Sequence, residues 1–285
     1  MDERDETAWV TGASSGIGEA VARELSRRGR PVVLSGRRTQ ALERLAAELP
    51  GPALALPFEA TDQAALPAAV EQAWAWRDGV ELLVNNAGVS QRSLALDTDL
   101  EVYRRLMEVD FFAPLALTQL VLPRMVARRR GHVANVSSVA GKVGTPLRGA
   151  YCAAKHALVG WSDALRAEVE AAYGVKVSTI LPGSVRTQVA VNALGADGQA
   201  RGVSDENIDN GMAPEVAAAL IVDALEAGRR EILVAEGVEL MAARARAADP
   251  ERLFDLLAQE GARLAALREA QGPAFRPDPA RIREA

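Results

Sequence analysis

The chain predicts an α/β fold, a doubly wound seven-stranded parallel sheet with helices on both faces. Short apolar runs alternate with longer amphipathic ones, which is the pattern of βαβ units. Seven such runs are present, and the first ends in a glycine-rich turn that leads straight into a helix.

Strands are expected at 8–11, 31–35, 53–56, 82–85, 132–137, 176–181 and 231–234. Each is an apolar run of four to six residues, beginning with Ala-Trp-Val-Thr and ending with Glu-Ile-Leu-Val, the usual length of a strand. Helices are expected at 17–28, 39–49, 63–76, 100–129, 150–172 and 214–227, where the amphipathic stretches are too long for strands. From 185 to 212 the pattern lapses into Gly, Asp, Asn and Ser. That stretch exceeds an ordinary connection and is expected to be a lid or substrate loop. The expected organisation is one domain over 1–249 and a helical extension over 250–285, with a helix at 252–268 and a frayed tail from 272.

Composition narrows the function classes. The 285 residues carry 38 acidic and 33 basic side chains, a net charge of -5, and 49% are hydrophobic, as in a soluble, core-forming chain. The basic residues, only three of them Lys (Lys142, Lys155 and Lys176), are scattered among acids, so no nucleic-acid footprint is expected. A single cysteine, Cys152, and two histidines, His132 and His156, are too few for a thiolate and imidazole zinc cage. No metal is expected. The N-terminal residues are charged, and the uncharged stretch 111–123 contains Thr118, Gln119 and two prolines, so neither a secretory signal nor a membrane span is expected. A cytoplasmic protein follows as the expectation.

The glycine-rich turn is Thr11-Gly12-Ala13-Ser14-Ser15-Gly16-Ile17-Gly18. Glycines between a first strand and a first helix allow a tight turn, and they let backbone N–H groups approach a pyrophosphate favoured by the helix N-terminus. At the end of the second strand, where a carboxylate would accept from a ribose 2′-OH, the chain reads Ser35-Gly36-Arg37-Arg38. Two guanidiniums suit a 2′-phosphate. NADP(H) is therefore the preferred cofactor, with NAD(H) as the alternative.

Further along, Tyr151 and Lys155 are four apart in an expected helix, so both project from one face. Ser138 precedes Tyr151 by 13 residues, at the end of the fifth strand. A carbonyl that receives hydride develops alkoxide charge, which an acid on its oxygen relieves. A free phenol, with a pKa of about 10, is poorly matched to that task, and a neighbouring ammonium draws it downward.

Together the glycine turn, Asn85-Asn86-Ala87-Gly88, Ser138 with Tyr151 and Lys155, and Pro182-Gly183-Ser184-Val185-Arg186-Thr187 resemble the short-chain dehydrogenase/reductase family over roughly residues 7–233. The resemblance implies a Rossmann fold and an oxidoreductase acting on a small-molecule carbonyl or alcohol. Ser138, Tyr151 and Lys155 are the implied catalytic residues, with Tyr151 as acid/base, Lys155 lowering its pKa and Ser138 orienting the substrate oxygen.

The implied cofactor contacts begin with Gly12, Ser14, Ser15, Gly16, Ile17 and Gly18 of the turn. Arg37, Arg38, Glu59 and Ala60 follow at the adenosine end, and Asn86, Ala87 and Gly88 after the fourth strand. Tyr151, Lys155, Pro182, Gly183, Val185 and Thr187 complete the set, Thr187 holding the nicotinamide carboxamide. Asp110 stands where the family often carries an Asn whose main-chain carbonyl holds a water. Within the family, segments 110–118 and 191–198 look like carbonyl reductases related to hydroxysteroid dehydrogenases. The alternatives are a 3-oxoacyl-thioester reductase and a non-catalytic NADP(H)-sensing protein. A homodimer or homotetramer is implied at the family level.

Overall fold

The computed structural model describes residues 6–272 and Phe275. Seven parallel strands form one sheet: β1 Ala8–Thr11, β2 Val32–Ser35, β3 Ala53–Ala55, β4 Leu82–Asn85, β5 Gly131–Val136, β6 Val175–Pro182 and β7 Glu231–Val234. Their order is β3-β2-β1-β4-β5-β6-β7. The chain winds outward from β1 to β3, then returns to place β4 on the other side of β1. Such a reversal opens a crevice beyond the C-terminal ends of the two central strands.

The expected doubly wound α/β fold is the one observed. Helices α1 Gly16–Arg27, α2 Thr39–Glu48, α3 Leu66–Trp76, α4 Leu100–Met107, α5 Ala113–Arg128, α6 Gly149–Tyr173, α7 Glu206–Asp209 and α8 Pro214–Glu226 lie between the strands, and α9 Gly237–Ala248 and α10 Pro250–Gln271 follow β7. Side chains of a strand alternate between its two faces, so Ala8 and Val10 join the core under α1 and α8, with Val21, Leu25 and Ile221. Trp9 joins the opposite core, with Leu117, Val121 and Leu165 from α5 and α6. Buried polar groups tie the sheet to that second layer. Asn85 Nδ2 donates to Thr118 Oγ1 (2.9 Å) and to Asn135 Oδ1 (2.8 Å), while Asn135 Nδ2 donates to Ser162 Oγ (2.9 Å).

Three expectations change. The single helix expected at 100–129 is interrupted by a π turn, Glu108–Phe112. Pro114 lacks the N–H that would bond the carbonyl of Asp110 and its ring crowds that carbonyl, so the break falls where the sequence carries this proline. Between β7 and the expected C-terminal helix lies α9, which buries no residue and so lacks the apolar stripe that marks a helix in sequence. Finally, α10 is longer than the expected 252–268, starting at Pro250 with the Asp249 carboxylate accepting from Arg252 N at 3.2 Å.

Residues 185–212 hold only the short α7 and isolated bridges, Gln91 to Leu194, Val185 to Met212 and Leu194 to Ala200. The frayed tail expected from 272 lies outside the described residues apart from Gly272 and Phe275. By length and a mean hydropathy of 1.3, Leu100–Arg128 is apolar enough to cross a membrane. In this fold Leu106, Leu117, Val121 and Met125 of that segment are buried.

Candidate active site

The crevice is a cleft of roughly 640 Å³, lined by every expected site residue except Gly18. Gly12 and Gly16 have φ of +65° and +60°, the left-handed region that favours glycine. A Cβ on Gly12 would lie 2.8 Å from Asn86 Nδ2 and 2.9 Å from Ala87 Cα. Gly18 sits behind the turn, where a Cβ would overlap the same Asn86 amide and come 2.5 Å from Gly12 O. The amide earns that space through its bonds, since Nδ2 donates to Thr11 O (3.0 Å) and Gly12 O (3.4 Å). Thr11 Oγ1 in turn accepts from the backbone N of Asn86 and Ala87, at 3.0 and 3.1 Å. Ser14, Ser15 and Ile17 complete the turn, and α1 directs its N-terminus into the cleft.

Beyond β2, Arg38 lies across the turn, Nη2 donating to Ser14 O (2.8 Å) and Nε to Ser14 Oγ (3.2 Å). Arg37 Nε stands 3.7 Å from Glu59 Oε2, with the two side chains 74% and 44% exposed. Ala60 follows on the same wall.

The opposite end is built from β5 and α6. Ser138 is extended at the close of β5 and caps the short turn Val139–Gly141. Its Oγ accepts from Ala140 N (3.1 Å) and donates to Pro182 O (3.2 Å). Tyr151 and Lys155 lie one turn apart on α6, the Lys155 Nζ 5.7 Å from the Tyr151 ring centroid. Burial leaves Lys155 with defined partners: Nζ donates to Val136 O at 3.1 Å and stands 3.8 Å from Asp110 Oδ1.

Asp110, on the π turn, is fully buried. Its Oδ1 accepts from Val89 N at 2.9 Å, and among the described residues Oδ2 has no hydrogen-bond partner. Burial pushes its carboxyl up to about 6, against the opposing pull of Lys155 and the Val89 N–H. Ala87 and Gly88 lie alongside in the cleft, and a Cβ on Gly88 would come 2.8 Å from Asp110 Oδ1 and 3.4 Å from Lys155 Nζ. Pro182, Gly183, Val185 and Thr187 close the wall after β6. Thr187 Cγ2 would stand 3.1 Å from a Cβ on Gly16.

Several groups in and around the cleft have no sequence signal. Gln91 Oε1 accepts from Ala150 N (2.9 Å) and Tyr151 N (3.4 Å), which fixes the start of α6 from 60 residues away. Arg92 and Asp205, with side chains 1% and 0% exposed, pair at 2.9 Å and join the segment after β4 to the 185–212 loop. Burial, with Arg148 nearby, lowers the Arg92 guanidinium to about 10 in spite of Asp205. Val89, Val109, Leu194 and Ile208 add apolar wall, and Asn192, Gln199 and Arg105 polar wall. Only the alignment of whole segments in space brings these together.

The remaining titratable groups lie elsewhere. His132 is near the start of β5, at the far end of the strand from Ser138, and burial lowers its imidazole to about 3, with Lys176 and Arg30 contributing. Its Nε2 is 2.7 Å from Ser178 Oγ. Cys152 is buried, its Sγ pointing at Val143 O.

The sequence profile of the short chain dehydrogenase family matches residues 6–197. Dehydrogenase/reductase SDR family member 7B of Bos taurus is 38% identical over 264 residues, covering 90% of this chain and 81% of the bovine protein. A short-chain dehydrogenase/reductase from Burkholderia phymatum, solved in complex with NAD, superimposes with a TM-score of 0.78 at 25% identity, over 88% of this chain and 96% of that one. Another from Burkholderia cenocepacia, in complex with NADP, gives 0.76 at 26% identity over 90% and 99%. With its parallel sheet, glycine turn and Ser138, Tyr151 and Lys155 in one cleft, the chain belongs to the short-chain dehydrogenase family of oxidoreductases.

Proposed function

We propose that the protein is an NADP(H)-dependent oxidoreductase that interconverts a carbonyl and a secondary alcohol, with Tyr151 as acid/base. One observation carries the reading: Ser138, Tyr151 and Lys155 share a cleft with the glycine turn. The cleft fits a dinucleotide. Positive φ at Gly12 and Gly16 lets the turn pack tightly against Asn86, Ala87 and Thr187, and the N-terminus of α1 opens into the same cleft, which suits a pyrophosphate.

When bound, the nicotinamide supplies or accepts the hydride. The chain handles the proton. In the reducing direction the Tyr151 phenol gives its proton to the carbonyl oxygen, and the alcohol forms. The Lys155 ammonium, held by Val136 O, stabilises the resulting phenolate. The Ser138 hydroxyl turns from Pro182 O to the substrate oxygen and orients it, a role for a donor aimed at developing charge.

Arg38 and Arg37 favour a 2′-phosphate. Arg38 already lies over the turn through Ser14, and Arg37 is exposed beside the same pocket. Val89, Val109, Leu194 and Ile208 support a lipophilic carbonyl substrate. A panel of ketones, aldehydes and acyl thioesters assayed with NADPH and NADH tests the proposal. Faster turnover of a lipophilic ketone with NADPH is the expected result, and turnover confined to acyl thioesters would overturn the substrate reading.

A further inference from the structure

The wall after β6 is held from outside by the C-terminal helices. Ser184 donates twice to one carboxylate on α9: its backbone N to Glu239 Oε2 at 2.5 Å and its hydroxyl to Glu239 Oε1 at 2.8 Å. The glycine before it makes this contact sterically feasible, since a Cβ on Gly183 would overlap Glu239 Oε2 and come 3.0 Å from Ala235 Cβ. On its other side the segment is held by Met212, whose N donates to Ser184 O (3.0 Å) and whose O accepts from Arg186 N (2.9 Å). Three residues beyond Ser184, Thr187 closes over Gly16. A shift at Ser184 is therefore passed to the residue that meets the glycine turn.

The same pair of helices has two more attachments around the cleft. Leu253 of α10 packs with Val139 and Val143, just after Ser138. At the far end of α10, Arg268 donates through Nε and Nη2 to the Asp97 carboxylate, at 2.8 and 2.5 Å. Helices α9 and α10 thus join the segments following β4, β5 and β6.

We propose that Glu239 is a positioning residue for the nicotinamide end of the cofactor, with α9 and α10 forming a strap that keeps residues 182–187 closed over the glycine turn. The inference rests on the dinucleotide reading of the cleft. Two charge-assisted bonds to one residue fix both its backbone and its side chain. Without the carboxylate the Ser184 N–H and hydroxyl turn to water and the wall loosens. The adenosine end, built from Ser14, Arg38 and Glu59, touches none of these groups.

The test compares Glu239→Ala with the wild-type full chain in two titrations: NADPH, followed by its fluorescence, and 2′,5′-ADP, which lacks the nicotinamide, followed by calorimetry. Loss of these charge-assisted bonds is expected to raise the NADPH Kd about tenfold and leave that of 2′,5′-ADP unchanged. Glu239→Gln, which keeps an acceptor oxygen for Ser184 N, is expected to recover most of the NADPH affinity. Ser184→Ala removes only the hydroxyl bond, and a selective loss of about threefold is expected even if the Glu239 variants fold poorly. Equal weakening of both ligands, or unchanged NADPH binding in both alanine variants, overturns the assignment. A wild-type chain that binds neither NADPH nor NADH refutes the dinucleotide reading itself, and the two failures are distinct.

Discussion

Two ion pairs of nearly equal length stand at opposite ends of the cleft. Arg37 and Glu59 are 3.7 Å apart with side chains 74% and 44% exposed, whereas Lys155 and Asp110 are 3.8 Å apart at 5% and 0%. Separation alone would make them equivalent. Water screens the first pair, while the second acts through the protein interior, where a given charge is felt several-fold more strongly. The Arg37 end is thus held by a weak, screened contact, and the Lys155 end by one that the interior strengthens.

The sharpest way to test that contrast is Tyr151→Phe. Removing one hydroxyl at the catalytic end is expected to lower kcat by about 10²–10⁴-fold, with NADPH binding retained in a fluorescence titration. A variant that reduced the best ketone at the wild-type rate would remove Tyr151 as the acid.

Next in size is the pH dependence set by Asp110. Its folded carboxyl is raised to about 6 by burial, while an unfolded Asp titrates near 3.9. Between those values the folded chain keeps a proton that the unfolded chain has lost. Stability therefore falls as pH rises through the window, by about 1.4 kcal/mol per unit. Asp110→Asn cannot titrate there, so its stability relative to wild type is expected to improve by roughly 2 kcal/mol from pH 4 to pH 7. Urea denaturation at the two pH values measures this. A difference independent of pH would show that burial does not hold the proton.

Two glycines give a finer comparison. A Cβ on Gly88 would meet Asp110 Oδ1 at 2.8 Å, whereas one on Gly36 meets nothing nearer than Ser14 Oγ at 3.4 Å. Gly88→Ala is expected to cost about 1–3 kcal/mol through overpacking, and Gly36→Ala to stay within about 0.5 kcal/mol. Equal costs in denaturant titrations would erase the distinction between the ends. The smallest effect belongs to Arg37→Ala. An exposed charge contact contributes about 0.2–1 kcal/mol, so NADPH is expected to bind a few-fold more weakly, with the difference shrinking as salt is raised. A salt-independent loss would mean that the contact is not screened.

Legibility from sequence follows the same physics. The central strands are readable because a strand covered on both faces leaves a compact apolar run, as at Leu82–Asn85. The glycine turn and the Tyr151 and Lys155 spacing are readable because backbone geometry and helical pitch dictate them locally. The π turn has only Pro114 as its signal. Helix α9 has none, since a helix with no buried residue carries no stripe. Gln91, the Arg92 and Asp205 pair and the Glu239 contact to Ser184 join residues 55 to 113 positions apart, and no local pattern encodes such meetings.

The Arg92 and Asp205 pair carries a consequence for how this chain can change over generations. Deleting either partner strands a bare charge in the interior, a lesion of about 3–5 kcal/mol, whereas exchanging both for apolar residues of like size is often neutral. The two positions therefore form a single heritable unit. A lineage reshaping the loop that carries Asp205 must alter both codons together or pass through an unstable ancestor.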